Sequence, residues 1–565
     1  MIHVQNIHIP LPHHTIHEER VVSTTPLLTL PLELVPHVMC YLSKDDLSSV
    51  SLVDSVFREL AASELFKTLR IDLSCGNKAF RCMDVLKLLD GSAQSRVSIA
   101  PCVRHLIVES RLPLPQSADE MIKRGYNMGP CYVKAMCYLM EKLLSNVYII
   151  DWDITGAMPP HVFQAIVSSS AKHIRIQKTV FTRPFPLTHS SHAHESLHLD
   201  LVWFPPETDP PAKRVLSVFD DLLSRSSCSL RQLIWEGCRT KAYIDLQSCT
   251  SFPKIRVLTL DQVAHDMDHI IPLFLGESTL VSTLAMDSLS EASREFYRTR
   301  GHISTLERFC WINHENDAAY EDVLVFLRAN DQIHTFQITS ALSSHVLETH
   351  FLPLFRSEFK NLTFLKLIWA DEQIPDASLE AISELVSLRR LWISAGNQNI
   401  YRNTWLINHH VLMERLKPLE QLQMIGFSHD TYESKMHPLA PRFGDYYANK
   451  AFPEDLSIQD YLEDEEYDAY RGIGVTDYER MFELQIEMRV IAWERMHRQR
   501  MLDVAYSYAT AFKCLEWIYI GQLPIARDTA KGQSGVPSMR ITVEERDPSA
   551  IILSKKLSIK TWAPW

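Results

Sequence analysis

Residues 362–367 read LTFLKL and residues 388–393 read LRRLWI, so that both hexapeptides have apolar residues at positions one, four and six. The same pattern, with substitutions among apolar residues, recurs as LRQLIW from Leu230, IRVLTL from Ile255, VSTLAM from Val281, LERFCW from Leu306, IHTFQI from Ile333 and LEQLQM from Leu419. Successive copies begin 25, 26, 25, 27, 29, 26 and 31 residues apart. Regular self-similarity at this period indicates an array in which each unit supplies one strand and one helix.

Helical apolar spacing fills the gaps between the copies, for example at Val323, Leu324 and Leu327. Weaker copies precede the array at Val103, 146–152, 174–176 and 197–199, and a last copy, LEWIYI, begins at Leu515. The sequence therefore predicts an α/β fold, a leucine-rich-repeat-like solenoid with about a dozen strands in one curved parallel sheet. Position nine of such repeats is Asn or Cys, and of the eight strong copies Cys238 alone fits. An irregular α/β domain is the alternative.

The strands of this array are predicted to change character along the chain on one face. Neighbouring side chains of a strand point to opposite sides, so positions three, five and seven of each copy share the concave face. Early copies place small or polar residues there, such as Thr259 and Thr283. Late copies place aromatic and cationic residues there, and this set is predicted to be exposed and to bind a protein substrate: Phe364, Lys366, Arg390, Trp392, Trp517 and Tyr519. The alternative is that a C-terminal loop or cap covers them.

The N-terminal segment 26–71 has a different, helical pattern of apolar residues. Apolar residues recur in it at four-residue steps, at Leu34, Val38 and Leu42. Ser43, with acidic residues in the turn that follows, indicates the start of a second helix, and a third short helix is predicted at 61–69, so the module is expected to have three helices. A unit of about 45 residues buries little surface alone, so it is expected to pack against a neighbour.

The same segment contains an ordered string of residues: Leu30-Pro31-Leu32-Glu33-Leu34, Val38, Tyr41-Leu42, Asp46-Leu47, Ser51-Leu52-Val53, Phe57 and 64–69. The order and spacing of these residues resemble an F-box, whose usual tail matches 64–69. The resemblance implies docking to the Skp-type adaptor of a cullin ubiquitin ligase. It carries over as adaptor contacts Leu30, Pro31, Leu34, Val38, Leu42, Leu47, Val50 and Val53. Pro36 and Asp54 depart from the family pattern, and a helical hairpin that caps the array is the alternative.

The array is similar to the degenerate leucine-rich repeats of fungal-type F-box substrate receptors. The implied organisation is a disordered tail 1–25, an F-box 26–71, a solenoid 72–428, an acidic insertion 429–475, a last helix and strand 476–525, and a C-terminal tail or cap 526–565. The implied function is non-catalytic: the chain is the subunit of a Skp-cullin-F-box ligase that recognises a protein substrate. An interaction scaffold that binds the adaptor or other partners without ubiquitin transfer is the alternative.

Composition and motifs point away from several other classes of protein. The net charge of −12 includes eight acidic residues without a compensating base between Glu454 and Asp468, so no nucleic-acid partner is expected. The acidic run itself is predicted to be a solvated loop. The chain has 16 glycines and no phosphate-binding loop motif, and its 11 cysteines never form a CxxC pair.

The sequence also lacks strong motifs for catalysis, metal binding or membrane insertion. Histidines cluster at His189, His192, His194 and His198, but Glu195 is the one carboxylate that accompanies them and no cysteine does. We therefore expect no catalytic residues, no metal and no cofactor. No stretch of 18 apolar residues occurs, which predicts an intracellular protein, cytoplasmic or nuclear, without a membrane partner.

Overall fold

The structure of the chain is a computed structural model. It describes residues 38–53, 55–72, 99–109, 130–181, 187, 193–203, 217–237, 246, 251–263, 270–277, 279–314, 319–396, 405–428, 430–431, 456–471, 478–528 and 539–541. The chain divides into two compact units, Gln5–Val281 and Ser282–Trp565. Each is built from parallel strands alternating with helices, so the predicted α/β class is confirmed.

The N-terminal unit begins with helices and continues into parallel strands. Its elements are α1 Lys44–Val50, α2 Ser55–Leu65, β1 Thr68–Asp72, β2 His105–Glu109, α3 Pro130–Tyr138, β3 Ile149–Ala157, α4 Pro160–Val167, β4 His173–Phe181, β5 Ser196–Trp203, α5 Ser217–Ser226, β6 Gln232–Gly237, β7 Val257–Asp261 and α6 Ile270–Phe274. Each strand from β1 to β7 pairs in parallel with the next one along the chain. The strands predicted at the weaker copies of the repeat are therefore confirmed.

The C-terminal unit continues the same alternation and ends in a hairpin. Its elements are β8 Thr283–Asp287, α7 Glu291–Thr299, β9 Arg308–Ile312, α8 Tyr320–Arg328, β10 Thr335–Ile338, α9 Ser344–Val346, α10 Leu352–Glu358, β11 Phe364–Ile368, α11 Asp376–Ser383, β12 Arg390–Ser394, β13 Trp405–Leu406, α12 His409–Leu416, β14 Met424–Ser428, β15 Asp430–Thr431, α13 Asp464–Arg471, α14 Tyr478–Ala511, β16 Trp517–Ile520, β17 Leu523–Arg527 and β18 Met539–Ile541. Strands β8 to β12, then β14 and β16, pair in parallel. Strands β17 and β18 extend this sheet antiparallel, and β13 pairs with β15 separately.

The repeat pattern explains the inner face of these strands. Leu365 and Leu367, at positions four and six of LTFLKL, are in register with Leu391 and Ile393 of the next copy, and all four are buried. Removing such large aliphatic side chains from water is worth about 1.5 to 3 kcal/mol each. Positions four and six of each copy therefore pair with the same positions of the next copy, and together they form the hydrophobic core.

A side-chain hydrogen bond joins successive repeats, although the expected Asn or Cys is missing from position nine. Buried Asn313, at position eight of its copy, donates through Nδ2 to the Ser340 carbonyl (3.0 Å) and accepts at Oδ1 from the Ser340 N–H (2.8 Å). These bonds satisfy backbone groups of the following loop. At this position the sequence pattern is degenerate but the link between repeats persists.

Three predictions about local structure are wrong. Residues 61–69 do not form one short helix, because α2 ends at Leu65 and β1 begins at Thr68 to pair with β2. The acidic run is not wholly a solvated loop, because residues 464–471 form α13, which an arginine of α14 holds by ion pairs. The boundary predicted at 525/526, between the last strand and a C-terminal tail or cap, falls inside a strand, because Leu523–Arg527 forms β17 of the sheet.

Among the described residues, every helix is too short or too polar to span a lipid bilayer.

Candidate functional site

The six residues predicted to bind a substrate lie in two adjacent rows across the late strands. In one row, Phe364 is in register with Arg390, and the row continues through Met424 to Trp517. In the other, Lys366 is in register with Trp392, and the row continues through Gly426 to Tyr519. The structure therefore brings all six residues together on one face of β11, β12, β14 and β16.

The aromatic members of this face are packed and largely withdrawn from solvent. Phe364, Trp392 and Trp517 form one buried cluster, which Met424, Tyr519 and Ala526 border. The Trp392 side chain is 1% exposed, and its ring stacks on Tyr519 with centroids 5.2 Å apart. The prediction that these rings are exposed is therefore wrong, because large rings on adjacent strands lie across one another.

Gly426 makes this packing possible. A Cβ atom at position 426 would lie 2.0 Å from Cε3 of Trp392, so the indole occupies the space that any other residue would need. The indole Nε1 donates to Ser428 Oγ at 3.1 Å, which fixes the ring over the glycine. By contrast, the buried Nε1 of Trp517 has no hydrogen-bond partner among the described residues. One tryptophan of the cluster is thus satisfied and the other is not.

The cations of this face are partly withdrawn as well. Arg390 lies with its guanidinium carbon 5.1 Å from the centre of the Phe364 ring, a cation–π arrangement. Burial lowers the pKa of Arg390, and repulsion from Arg308 lowers it further. Lys366 is 7% exposed. This leaves Arg390 as a half-buried cation whose edge reaches solvent.

A second arrangement, which sequence reasoning missed, lies beside these rows. Asp430 is buried, and its Oδ2 accepts from the Gly521 N–H at 2.7 Å in the turn between β16 and β17. The Gly521 carbonyl accepts from Nε2 of His497 on α14 at 2.8 Å. A carboxylate and a helix thus hold the two sides of one turn. A buried aspartate between polar residues leaves no periodic signal in the sequence, so pattern analysis could not find it.

The protonation of these groups follows from their burial. Burial raises the pKa of Asp430 to about 7, and the Gly521 N–H opposes that shift. Burial lowers the pKa of His497 to about 4, and that of His409 to about 4 as well. Burial, and then Asp430, raise the pKa of Tyr519. The turn therefore holds a carboxyl group and a neutral imidazole whose charged forms are both disfavoured.

The predicted adaptor contacts separate into three groups in the described part of the chain. Leu47 is buried in the module's own core with Met39, Phe57, Leu60 and Ala61, and Leu42 and Val50 pack against that core. Val38 and Val53 are exposed. Leu30, Pro31 and Leu34 lie outside the described residues. Two of the eight predicted contacts are thus open to a partner as described.

Other exposed apolar residues lie near these two valines in the sequence. Val53 is 64% exposed, Leu52 79% and Tyr41 88%. Helix α1 begins with a capping box, in which Ser43 Oγ accepts from the Asp46 N–H and Asp46 reaches back to the Ser43 N–H. Tyr41 precedes this helix, and Leu52 and Val53 follow it. The loops at both ends of α1 thus expose large apolar side chains to solvent.

The histidine cluster is only partly described, and its described members have separate protein partners. His194 Nδ1 lies 2.8 Å from the Ala171 carbonyl, and His198 Nε2 lies 3.6 Å from Glu236 Oε2. His189 and His192 lie outside the described residues. His194, which precedes β5, thus contacts the loop before β4, and His198 on β5 lies beside Glu236 on β6.

Comparisons with known proteins add little to this geometry. No family model matches the sequence, and no curated protein matches it. One similar solved structure is a Bacteroides fragilis protein, with 12% identity and a TM-score of 0.19 over 66% of this chain and 70% of that one. Another is TLR13 in complex with ssRNA13, with 13% identity and a TM-score of 0.26 over 59% of this chain. The chain spans about half (54%) of the TLR13 chain, and its own residues carry the functional inference.

Proposed function

We propose that the chain is a substrate-recognition subunit of a Skp-cullin-F-box ubiquitin ligase. In this proposal the segment 26–71 is the F-box, and the strand–helix repeats are a leucine-rich-repeat-like solenoid that holds a protein substrate. The observation that carries the proposal is the combination of the F-box-like string with a small helical core that leaves Val38, Leu52 and Val53 exposed. Exposed apolar side chains on so small a module are typical of a protein-binding surface.

In this module, buried residues stabilise the fold and exposed residues are available for binding. Leu47 is buried in the core, so its contribution is to hold the two helices together. Val38 and Val53 are free to contact the adaptor, and each large aliphatic side chain buried there contributes about 1.5 to 3 kcal/mol. The adaptor in turn links the chain to the cullin.

The late strands supply the substrate surface in this proposal. Phe364, Trp392 and Trp517 form a rigid buried platform, and the partly exposed Arg390 and Tyr519 are the groups at its edge that a substrate contacts. The chain itself performs no bond chemistry. Its contribution is proximity, because a bound substrate meets the ubiquitin-charged partner at a local concentration of about millimolar.

Co-purification with a Skp-type adaptor tests the proposal. Val53→Asp places a charge in the proposed apolar contact and is expected to weaken adaptor capture by more than tenfold. The matched control is Val386→Asp, because Val386 is a 60% exposed valine of the repeat array. Equal capture by both variants would exclude Val53 from the interface, and no capture by the unaltered chain would refute the F-box.

Ubiquitin transfer separates the proposal from its alternative. A scaffold would bind the adaptor as well as a receptor does, but its bound partner would not be consumed. Cullin-dependent loss of a captured protein, absent in the Val53→Asp variant, is the expected result for a receptor. Stable capture without such loss would favour the scaffold.

A further inference from the structure

The turn between β16 and β17 is held from two sides by buried side chains of the C-terminal unit. Asp430 of β15 accepts from the Gly521 N–H at 2.7 Å, and His497 of α14 donates to the Gly521 carbonyl at 2.8 Å. The imidazole of His497 is itself fixed, because it stacks on Trp493 with ring centroids 4.9 Å apart. Both backbone polar groups of Gly521 therefore bond to side chains from outside the hairpin.

The carboxyl group of Asp430 is buried without a counter-ion. The residue is 3% exposed, and Oδ1 has no hydrogen-bond partner among the described residues. No basic side chain in the described part of the chain forms an ion pair with it. Burying an unpaired carboxylate is strongly unfavourable, whereas the protonated form is neutral. The closed turn therefore favours protonated Asp430.

The titratable and charged groups around this carboxyl come from three packed elements. They are His497, Arg498, Arg500 and Tyr508 on α14, His409 on α12 and Tyr519 on β16. Burial lowers the pKa of both histidines to about 4 and raises the pKa of both tyrosines. Of these groups, Asp430 is the one whose charge changes between pH 6 and pH 8, since burial raises its pKa to about 7.

The two ends of the β16–β17 hairpin are held by different contacts. At the open end, the Arg527 N–H donates to the Glu516 carbonyl at 2.9 Å, and Arg527 Nη1 donates to the Lys513 carbonyl at 2.8 Å. At the turn end, Gly521 and Gln522 both have positive φ, and Pro524 has no N–H to donate. The turn end therefore depends on Asp430 and His497, and it is the end that we expect to open first.

We propose that loss of the proton from Asp430 releases the turn end of the β16–β17 hairpin from β15 and α14, which makes this hairpin a pH-sensitive switch. In the closed state the protonated carboxyl accepts from Gly521. In the open state the proton has passed to solvent, and water hydrates both the carboxylate and the Gly521 N–H. The inference does not rest on the proposed function, because every group in it belongs to the C-terminal unit itself.

The switch would act on the cluster of buried aromatic residues in the same unit. Strand β16 carries Trp517 and Tyr519, and Tyr519 stacks on Trp392. In the hairpin Pro524 is in register with Tyr519, and Ala526 of β17 packs against the cluster. Opening from the turn end therefore uncovers Tyr519 before Trp517. The exposure of these rings is thus linked to pH.

Hydrogen exchange of the full chain, followed by mass spectrometry, tests the proposal. Peptides from residues 517–527 are compared between the unaltered chain and Asp430→Asn at pH 6 and pH 8. The ratio of the two proteins at each pH cancels the intrinsic pH dependence of exchange and the titration of His497. Exchange of the unaltered chain relative to the variant is expected to rise about tenfold, as follows for a carboxyl whose pKa is about 7 when closed and 3.8 when free.

Controls assign this response to Asp430 and to the hairpin. Asp503→Asn removes an exposed carboxylate of α14 and is expected to keep the response of the unaltered chain. Peptides from β10 to β12 are expected to show no response in any of the three proteins. A constant ratio would mean that Asp430 does not control the turn, and an equal response in β10 to β12 would mean that the whole unit opens. Either result overturns the proposal.

Infrared absorption of the unaltered chain keeps the test decisive if Asp430→Asn does not fold. The C=O band of a buried protonated carboxyl group is expected to disappear between pH 6 and pH 8. Over the same range, exchange is expected to increase more in residues 517–527 than in β10 to β12. Either change without the other overturns the proposal.

Discussion

The indole of Trp392 lies across Gly426, its register partner on the next paired strand, and a Cβ at position 426 would lie 2.0 to 2.6 Å from three atoms of the indole. The ring reaches over the glycine to stack on Tyr519, one strand further along. A row that pattern analysis treats as a series of independent exposed side chains is thus a single packed layer. Its formation depends on one missing side chain.

We expect Gly426→Ala to destabilise the C-terminal unit by about 1 to 3 kcal/mol, because the added methyl group overlaps the indole and forces it from its site. Urea unfolding measures this loss as a lower midpoint. Trp392 emission should change as well, because the displaced ring loses its hydrogen bond to Ser428.

A double-mutant cycle is the control for this steric account. In a Trp392→Ala background the space over residue 426 is vacant, so Gly426→Ala should cost much less than in the unaltered chain. An equal cost in both backgrounds would mean that the glycine is required for another reason.

The strands were predictable and the exposure of their faces was not. The LxxLxL period places Leu365 and Leu391 on consecutive buried positions, because period and register are local properties of the sequence. Burial of Trp392 depends on Gly426, which follows 34 residues later. Alternation along a strand shows on which side of the sheet a side chain lies. Packing between strands decides whether that side chain is exposed to solvent.

Because Asp430 is buried, we expect the stability of the chain to depend on pH. Burial raises its pKa to about 7, above the 3.8 of a free aspartate, so the folded state binds a proton more tightly than the unfolded state does. Its contribution is fully present below about pH 4 and is lost as the pH rises to about 7, by on the order of 4 kcal/mol. Asp430→Asn keeps an oxygen acceptor for the Gly521 N–H but cannot ionise.

The comparison is the free energy of unfolding of the unaltered chain minus that of Asp430→Asn, measured by urea from pH 4.5 to pH 7.5. We expect this difference to fall as the pH rises. His497 titrates with the opposite sign, since its lowered pKa of about 4 makes the folded state lose stability as the pH falls from 6.5. The histidine is present in both proteins, so it cancels, and a flat difference would show that Asp430 does not titrate in this range.

Gly521 predicts a steric effect in the turn that joins β16 to β17. Its φ is +54°, and a Cβ there would lie 2.4 Å from Met501 Sδ and 2.7 Å from His497 Cε1. Gly301 has a φ of +69° but has nothing within 4 Å of an added Cβ. Gly301→Ala therefore measures backbone strain alone, of about 1 kcal/mol, and Gly521→Ala should cost clearly more.

Thermal unfolding of the two alanine variants measures that difference. Similar melting temperatures would contradict the close packing of α14 on the turn. This turn was also beyond sequence analysis, because Gly521-Gln522 is not one of the dipeptides that signal a hairpin, although both residues have positive φ.

Arg495 predicts how α13 is held. The arginine pairs with Glu466 through both guanidinium ends and also donates to the Tyr461 carbonyl. Arg495→Gln should leave the strands intact but raise the rate at which a protease cleaves within residues 456–471 by several-fold. Arg498→Gln, one turn along the same helix, is the control, and an equal rate in both variants would mean that the ion pairs do not anchor the segment.

Sequence analysis placed the candidate substrate-binding residues on one face of the late strands, but it did not show how they pack. Alternation of side chains along each strand placed Arg390, Trp392, Trp517 and Tyr519 on one face. The register of the paired strands confirms this placement. The burial of the two tryptophans was missed, because it depends on contacts between strands that alternation within one strand does not reveal.

Titration of the purified full chain with a purified Skp-type adaptor in a calorimeter tests the central claim most directly. The account predicts one-to-one binding with a Kd of about micromolar or tighter, with a negative heat-capacity change from burial of apolar residues around Val38 and Val53. Absence of heat and of complex formation with a folded chain would contradict the F-box assignment, and with it the receptor function.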